Sequence, residues 1–259
     1  MRYKIGIVLS GGGSRGLVHV GVLRALVEAG LAPDCLSGTS AGAIVGALYS
    51  AGYDAEAMIE FFARKSPFHL SNLALGKPGW IDTEKIVADF LEYFPDDSFE
   101  ALEKRLFVAA TDLVDARLEV FSSGPLVRPV IASSSIPMVF TPMTIGGRWF
   151  ADGGILDNFP VEPLLGLCNV VLGVYASPLS EVEDDELKSS IAVTQRAFEL
   201  GMFYASRNRF HHADLLLSPP ELTRYGTFDS KHHREIAELG YRAARERLDE
   251  VRRLVERRG

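Results

Sequence analysis

Within its first fifty residues the chain alternates strand, helix, strand and helix, and each strand runs into a turn of small residues that opens the next helix. Residues 3–9 are a short β-rich run ending in a glycine cluster, and residues 17–29 place apolar side chains at helical spacing before Gly30. Residues 33–37 predict a second short strand, and residues 41–50 a second helix closed by Ala51 and Gly52. Two strand–helix units in succession imply parallel strands joined by right-handed crossovers, the start of an α/β sheet covered by helices.

Further strands are predicted at 106–113, 118–122, 168–175 and 215–217, and helices at 125–135, 186–210 and 230–258. Residues 143–150 read as two short strands around Gly146-Gly147, leading straight to Asp152-Gly153-Gly154. Neither an internal repeat nor a linker divides the 259 residues, so one domain is expected, with a motif-bearing core at 4–175 and a helical part at 186–259. Residues 58–80 set Phe61, Phe62, Phe68, Leu70 and Trp80 among prolines and glycines. They are too irregular for one clean helix, and read as a loop or short helices folded onto the core, or as a wall or lid for an acyl chain.

Net charge is −7, which gives no electrostatic case for nucleic acid. The last stretch departs from this: residues 242–258 hold seven arginines against four acids on a predicted helix, a solvated face or a contact for anionic lipid headgroups. Cys35 and Cys168 lie in apolar runs and read as buried thiols of a reducing, cytoplasmic compartment, a disulfide between them being the lesser alternative. The apolar run at 5–9 stops too soon for an export signal or a membrane span, so any meeting with a membrane is expected to be transient and peripheral.

Three motifs carry chemistry. Gly38-Thr39-Ser40-Ala41-Gly42, between a predicted strand and helix, fits a nucleophile elbow, where small flanking residues permit a sharp turn that exposes the serine. Gly11-Gly12-Gly13-Ser14-Arg15-Gly16 leaves backbone N–H groups bare, suited to a phosphate or to the oxyanion of an acyl intermediate. Gly11, Gly13 and Gly16 also match a dinucleotide fingerprint. The acidic residue that reading needs at the end of the next strand is missing, because Asp34 stands at its start. Asp152-Gly153-Gly154 is a commonplace turn that acquires weight from its company.

A full triad would need a histidine from among His19, His69, His211, His212, His232 and His233. Too few strands precede Ser40 for the α/β-hydrolase order, and adjacent histidines on a helix point about 100° apart. The late pairs are therefore read as surface residues, without the spacing of a metal site.

Together the glycine loop, the elbow about two dozen residues on and the downstream Asp-Gly-Gly resemble the patatin-like phospholipase family, in its bacterial, single-domain form. The stretch 132–142 and Asp157-Asn158-Phe159-Pro160 strengthen the likeness, which spans roughly residues 4–175. The resemblance implies a three-layer α/β/α sandwich with a mainly parallel central sheet. It also implies a lipid acyl hydrolase of phospholipase A, lysophospholipase or esterase type. Ser40 and Asp152 would form a catalytic dyad, with Gly11, Gly12 and Gly13 at the oxyanion hole and Arg15, Gly38, Gly42, Gly153 and Gly154 in support. Neither metal nor organic cofactor is expected. The alternative is a non-catalytic module that uses the same pocket to bind lipid or a partner.

Overall fold

The computed structural model describes residues 2–64 and 72–258, with Ile191 through its backbone alone. The described strands are β1 (Tyr3–Leu9), β2 (Cys35–Thr39), β3 (Arg105–Asp112), β4 (Arg117–Phe121), β5 (Met143–Ile145), β6 (Arg148–Asp152), β7 (Cys168–Val174) and β8 (Leu215–Leu217). They form one sheet in the order β5-β6-β3-β2-β1-β7-β8, with β4 also on β3. The run from β3 to β8 is parallel, and β4, β5 and β6 add an antiparallel corner. The chain thus has the α/β class and mainly parallel sheet expected of it.

Alternation along β1 separates two cores. Ile5, Ile7 and Leu9 face one side with helices α1 (Leu17–Glu28), α2 (Ala41–Ser50) and α3 (Ala55–Arg64). Val8 faces the other with Cys35, Phe159, Cys168 and Tyr175. The first side also carries α4 (Thr83–Leu91), α5 (Val127–Ser133) and α7 (His233–Arg258); Phe203 of α6 (Ser190–Arg207) packs on the second. Helices α1 and α7 cross closely because both are notched by glycine. A Cβ on Gly21 would lie 1.8 Å from the Ala237 carbonyl oxygen, and one on Gly240 2.0 Å from that of Val18.

Helix α4 went unread in the sequence, and its N-terminus is capped by the Asp82 side chain, which accepts the Glu84 N–H at 3.2 Å. Residues 55–64 form regular α3, which buries Met58 and Phe61, so the first part of 58–80 is a short helix folded onto the core, one of the alternatives expected there. Phe68, His69 and Leu70 lie outside the described residues. The second strand begins at Cys35 and runs to Thr39, two residues later than predicted, because Gly38, despite its low strand propensity, and Thr39 still pair with Val108 and Ala109.

Cys35 and Cys168 are free, buried thiols on β2 and β7, either side of β1. The two thiols interact with each other across β1 and stand as free cysteines. Gly6 makes room for them: a Cβ there would sit 2.6 Å from the Cys168 sulfur. Helix α7 turns its apolar residues onto α1 and ties several tail arginines to acids, Arg247 to Glu250, Arg252 to Asp249 and Arg258 to Asp214.

Candidate active site

Ser40 sits where β2 ends and α2 begins, with φ 54° and ψ −126°, a backbone conformation costly for any residue with a side chain. Its neighbours remove the obstacles. A Cβ on Gly38 would lie 2.6 Å from the Gly42 carbonyl oxygen, and one on Gly42 only 2.0 Å from that of Leu9. The Ser40 N–H donates to Ser133 Oγ at 2.9 Å, and that hydroxyl donates to the Ala109 carbonyl at 2.6 Å. Thr39 Oγ1 donates to the carbonyl of Asp157 at 2.9 Å. The turn is therefore over-determined, as strained functional turns must be.

Register brings Asp152 to this serine. β2 pairs with β3 as far as Thr39 opposite Ala109, and β4 occupies the other edge of β3 from Val108 onward. β6 must therefore take the edge that β2 vacates, and it does so with Asp152 opposite Ala110, one step beyond Thr39. Asp152 is 2% exposed, and its Oδ1 accepts the Gly154 N–H at 2.7 Å. Oδ2 has no partner at hydrogen-bonding geometry. Burial pushes the carboxyl up to about 7, against the opposing pull of a Ser40 hydrogen bond and the Gly154 N–H. Gly153 is required beneath it, since a Cβ there would meet the Ala109 carbonyl oxygen at 2.3 Å.

The glycine loop divides its labour. The Gly11 N–H is taken by Asn158 Oδ1 at 3.0 Å, so Gly11, expected as an oxyanion donor, is a clamped position instead. The N–H groups of Gly12 and Gly13 meet no acceptor among the described residues. Gly13, at φ +58°, lies so close to Thr227 that a Cβ would come within 2.1 Å of its carbonyl oxygen. That carbonyl accepts the Ser14 N–H at 2.8 Å. Arg15 braces the loop, Nε toward the Gly12 carbonyl at 3.5 Å and Nη2 toward Thr227 Oγ1 at 3.4 Å.

Ser40 opens onto a cavity of about 200 Å³, walled by Phe61 and Phe62 of α3, Ile86 and Phe90 of α4, and Ile136 and Phe140. His233 also lines it, within 3.2 Å of the Asp229 carbonyl, whereas His232 pairs with the Asp229 carboxylate at 2.8 Å. Reading all the late histidines as surface residues thus missed one that reaches the cavity. His211 and His212 stack on each other at 3.9 Å beyond α6. Sequence reasoning also left two supports without a role. Asn158 clamps Gly11, and His19 is fully buried with Nε2 2.8 Å from the Ser10 carbonyl, its pKa lowered to about 4 by burial. A neutral ring with the proton on Nε2 fits that site.

A strained elbow serine, a buried carboxylate and a glycine loop, set at one end of a mostly parallel sheet, define an α/β protein of nucleophile-elbow type. A family model described as patatin-like phospholipase matches residues 7–165. The chain belongs to that family. "Lysophospholipase nte1" of Aspergillus niger is 29% identical over 281 residues, covering 96% of this chain and 18% of the relative. "Lysophospholipase NTE1" of Yarrowia lipolytica is 33% identical over 166 residues, covering 62% of this chain and 12% of the relative. The chain therefore spans less than a fifth of the length of these fungal relatives. In fold it is similar to VipD from Legionella pneumophila, with a TM-score of 0.55 at 17% identity over 100% of this chain and 67% of that one.

Proposed function

We propose that the chain hydrolyses acyl esters of lipids through Ser40 and Asp152. The observation that carries this reading is the buried Asp152 carboxyl, pushed up to about 7 by burial and within electrostatic reach of the Ser40 hydroxyl, one register step from a strained serine that opens onto an apolar cavity. An ordinary carboxylate is too weak a base to activate a hydroxyl, and burial corrects that. Ser40 Oγ attacks the ester carbonyl carbon while its proton passes to Asp152 Oδ2. The oxyanion is held by the Gly12 and Gly13 N–H groups, each worth about 3 kcal/mol when well placed, with support from the N-terminus of α2. As the intermediate collapses, the departing alkoxide takes the proton from Asp152. Water then attacks the acyl-enzyme, gives its proton to Asp152, and releases the fatty acid as Ser40 is reprotonated.

The lysophospholipase names of the relatives and the apolar walls support a lipid acyl group as substrate. Among the described residues no helix is long and apolar enough to cross a membrane, and contact with lipid in this reading is peripheral. The surface for it is the paired rim of 72–82 and 136–141. There Leu75 is 87% exposed, Trp80 57% and Met138 51%, next to the Phe140 cavity wall. This rim, rather than the α7 arginines, fits the role, because several of those arginines are already paired.

The test is p-nitrophenyl ester hydrolysis by wild type, Ser40→Ala and Asp152→Asn, with fluorophosphonate labelling and peptide mapping. Loss of turnover in both variants and label on Ser40 is the expected result. A folded wild type that neither turns over ester nor takes the label would overturn the reading in favour of a lipid-binding module.

A further inference from the structure

A second cavity, of about 310 Å³, meets the first at Thr227 and lies on the Arg15 side of the glycine loop. Arg15 enters it from the loop, Arg196 from α6 and Arg224 from the turn after β8, with the Ser177 and Thr227 side chains between them. Arg15 is more than nine-tenths buried at 8% exposure. Its hydrogen bonds are long, 3.5 Å to Gly12 O and 3.4 Å to Thr227 Oγ1, and no carboxylate among the described residues forms a salt bridge with it. Burial lowers its pKa, only partly opposed by Glu199 and Tyr175. Arg196 is similarly under-used. Nη2 donates to the Ser180 carbonyl at 2.8 Å, but Nη1 is buried without a hydrogen bond, 3.7 Å from Glu199.

A guanidinium kept only to brace a loop would be expected to make short, well-aligned bonds. A buried guanidinium with only long hydrogen bonds, beside a half-buried one whose inner nitrogen donates to nothing, is costly at the wall of a polar cavity unless an anion completes them. Their fork geometry suits the oxygens of a phosphate group. The Thr227 hydroxyl at the same wall adds a neutral donor, while that of Ser177 is spent on the Gly11 carbonyl.

We infer that this cavity binds a phosphoryl group, its oxygens held by Arg15 and Arg196 with Arg224 at the side. Because Arg15 Nε reaches the Gly12 carbonyl, occupancy steadies the glycine loop that the proposed reaction uses. Glu186 and Glu199 line the cavity as well, so three cations face two carboxylates and binding is weak, in the millimolar range. The phosphoryl group comes either from the headgroup of the lipid substrate or from a free phosphate. Only the first source rests on the acyl-hydrolase reading.

The test is calorimetric titration of the full chain with glycerol 3-phosphate and with inorganic phosphate. Saturable binding is expected, weakened about tenfold in Arg196→Gln and in Arg224→Gln and tightened in Glu199→Gln. A melting temperature and circular dichroism spectrum like those of wild type show that Arg196→Gln is folded. The source is read from KM on a lysophosphatidylcholine and on a monoacylglycerol with the same acyl chain. If KM rises in Arg196→Gln for the phospholipid alone, the headgroup is the ligand. If added phosphate raises turnover on both lipids alike, free phosphate is. Absence of saturable binding by wild type overturns the proposal, as does weaker binding in Glu199→Gln. A wild type that binds phosphate but hydrolyses no ester leaves this site standing and removes the acyl-hydrolase reading.

Discussion

Gly11 and Asn158 exchange hydrogen bonds across 147 positions of sequence, Gly11 N–H to Oδ1 at 3.0 Å and Nδ2 to the Gly11 carbonyl at 3.4 Å. The loop that carries Asp152 therefore also holds the glycine loop, and at Asp157 it receives Thr39 of the elbow. One short segment positions Asp152, the elbow serine and the glycine loop at once.

Asn158→Ala removes that clamp and leaves a buried Gly11 N–H without a partner, at about 1–3 kcal/mol of stability. Under the proposed mechanism kcat should fall by roughly one to two orders of magnitude with KM little changed, because the amides act on the transition state. A variant that loses melting temperature but keeps wild-type kcat would limit Asn158 to a structural role.

Asp152 must be ionised to accept a proton, so kcat/KM should rise with pH through a midpoint near 7, the value to which burial pushes it. Stability runs the other way. The folded pKa exceeds the ordinary 3.8, so the folded chain binds more protons between about pH 4 and 7 and stability declines as pH rises through that window. The cost above pH 7 is at most of order 4 kcal/mol. Asp152→Asn escapes it, and its melting temperature should gain on wild type at pH 8 relative to pH 5. A pH-independent difference would place the ordinary carboxylate pKa back on Asp152.

Gly42→Ala would drive a methyl to within 2.0 Å of the Leu9 carbonyl oxygen, backbone against backbone, and should prevent folding or cost more than about 3 kcal/mol. Gly201, inside α6 with nothing within 4 Å of where a methyl would stand, is the control: Gly201→Ala should stabilise by about 0.5–1 kcal/mol. Chemical denaturation of both variants reads the contrast. Similar effects at the two sites would contradict the close packing of the elbow.

His233 lines the cavity, yet its imidazole is engaged with the Asp229 carbonyl. His233→Gln is expected to leave ester turnover within a few-fold of wild type, with the Asp152 pH midpoint intact. A loss as deep as that of Ser40→Ala would make the site a triad.

What was legible in the chain is local. The parallel β1–β2 start, the elbow at Ser40 and the glycine loop follow from strand runs, helix periods and residues that tolerate sharp turns. These are decided over a handful of neighbouring residues, so a linear reading reaches them. Helix α4 is clearly amphipathic and was legible in principle, whereas α3 is expected only as one of several short helices because it runs into a stretch broken by Pro67, Gly76, Pro78 and Gly79.

The sequence by itself determined which groups are available: a serine between glycines, an aspartate before two glycines, and bare amides after β1. Only tertiary structure decided their use. Where β2 ends on the edge of β3 determines that Asp152 arrives beside Ser40, and burial there, not the residue type, raises its pKa. Asn158 takes the Gly11 amide, and Arg15 is left facing a cavity lined by α6. These depend on contacts between residues far apart in sequence, from Ala110 with Asp152 to Gly11 with Asn158, where register and packing act and local propensity carries no information.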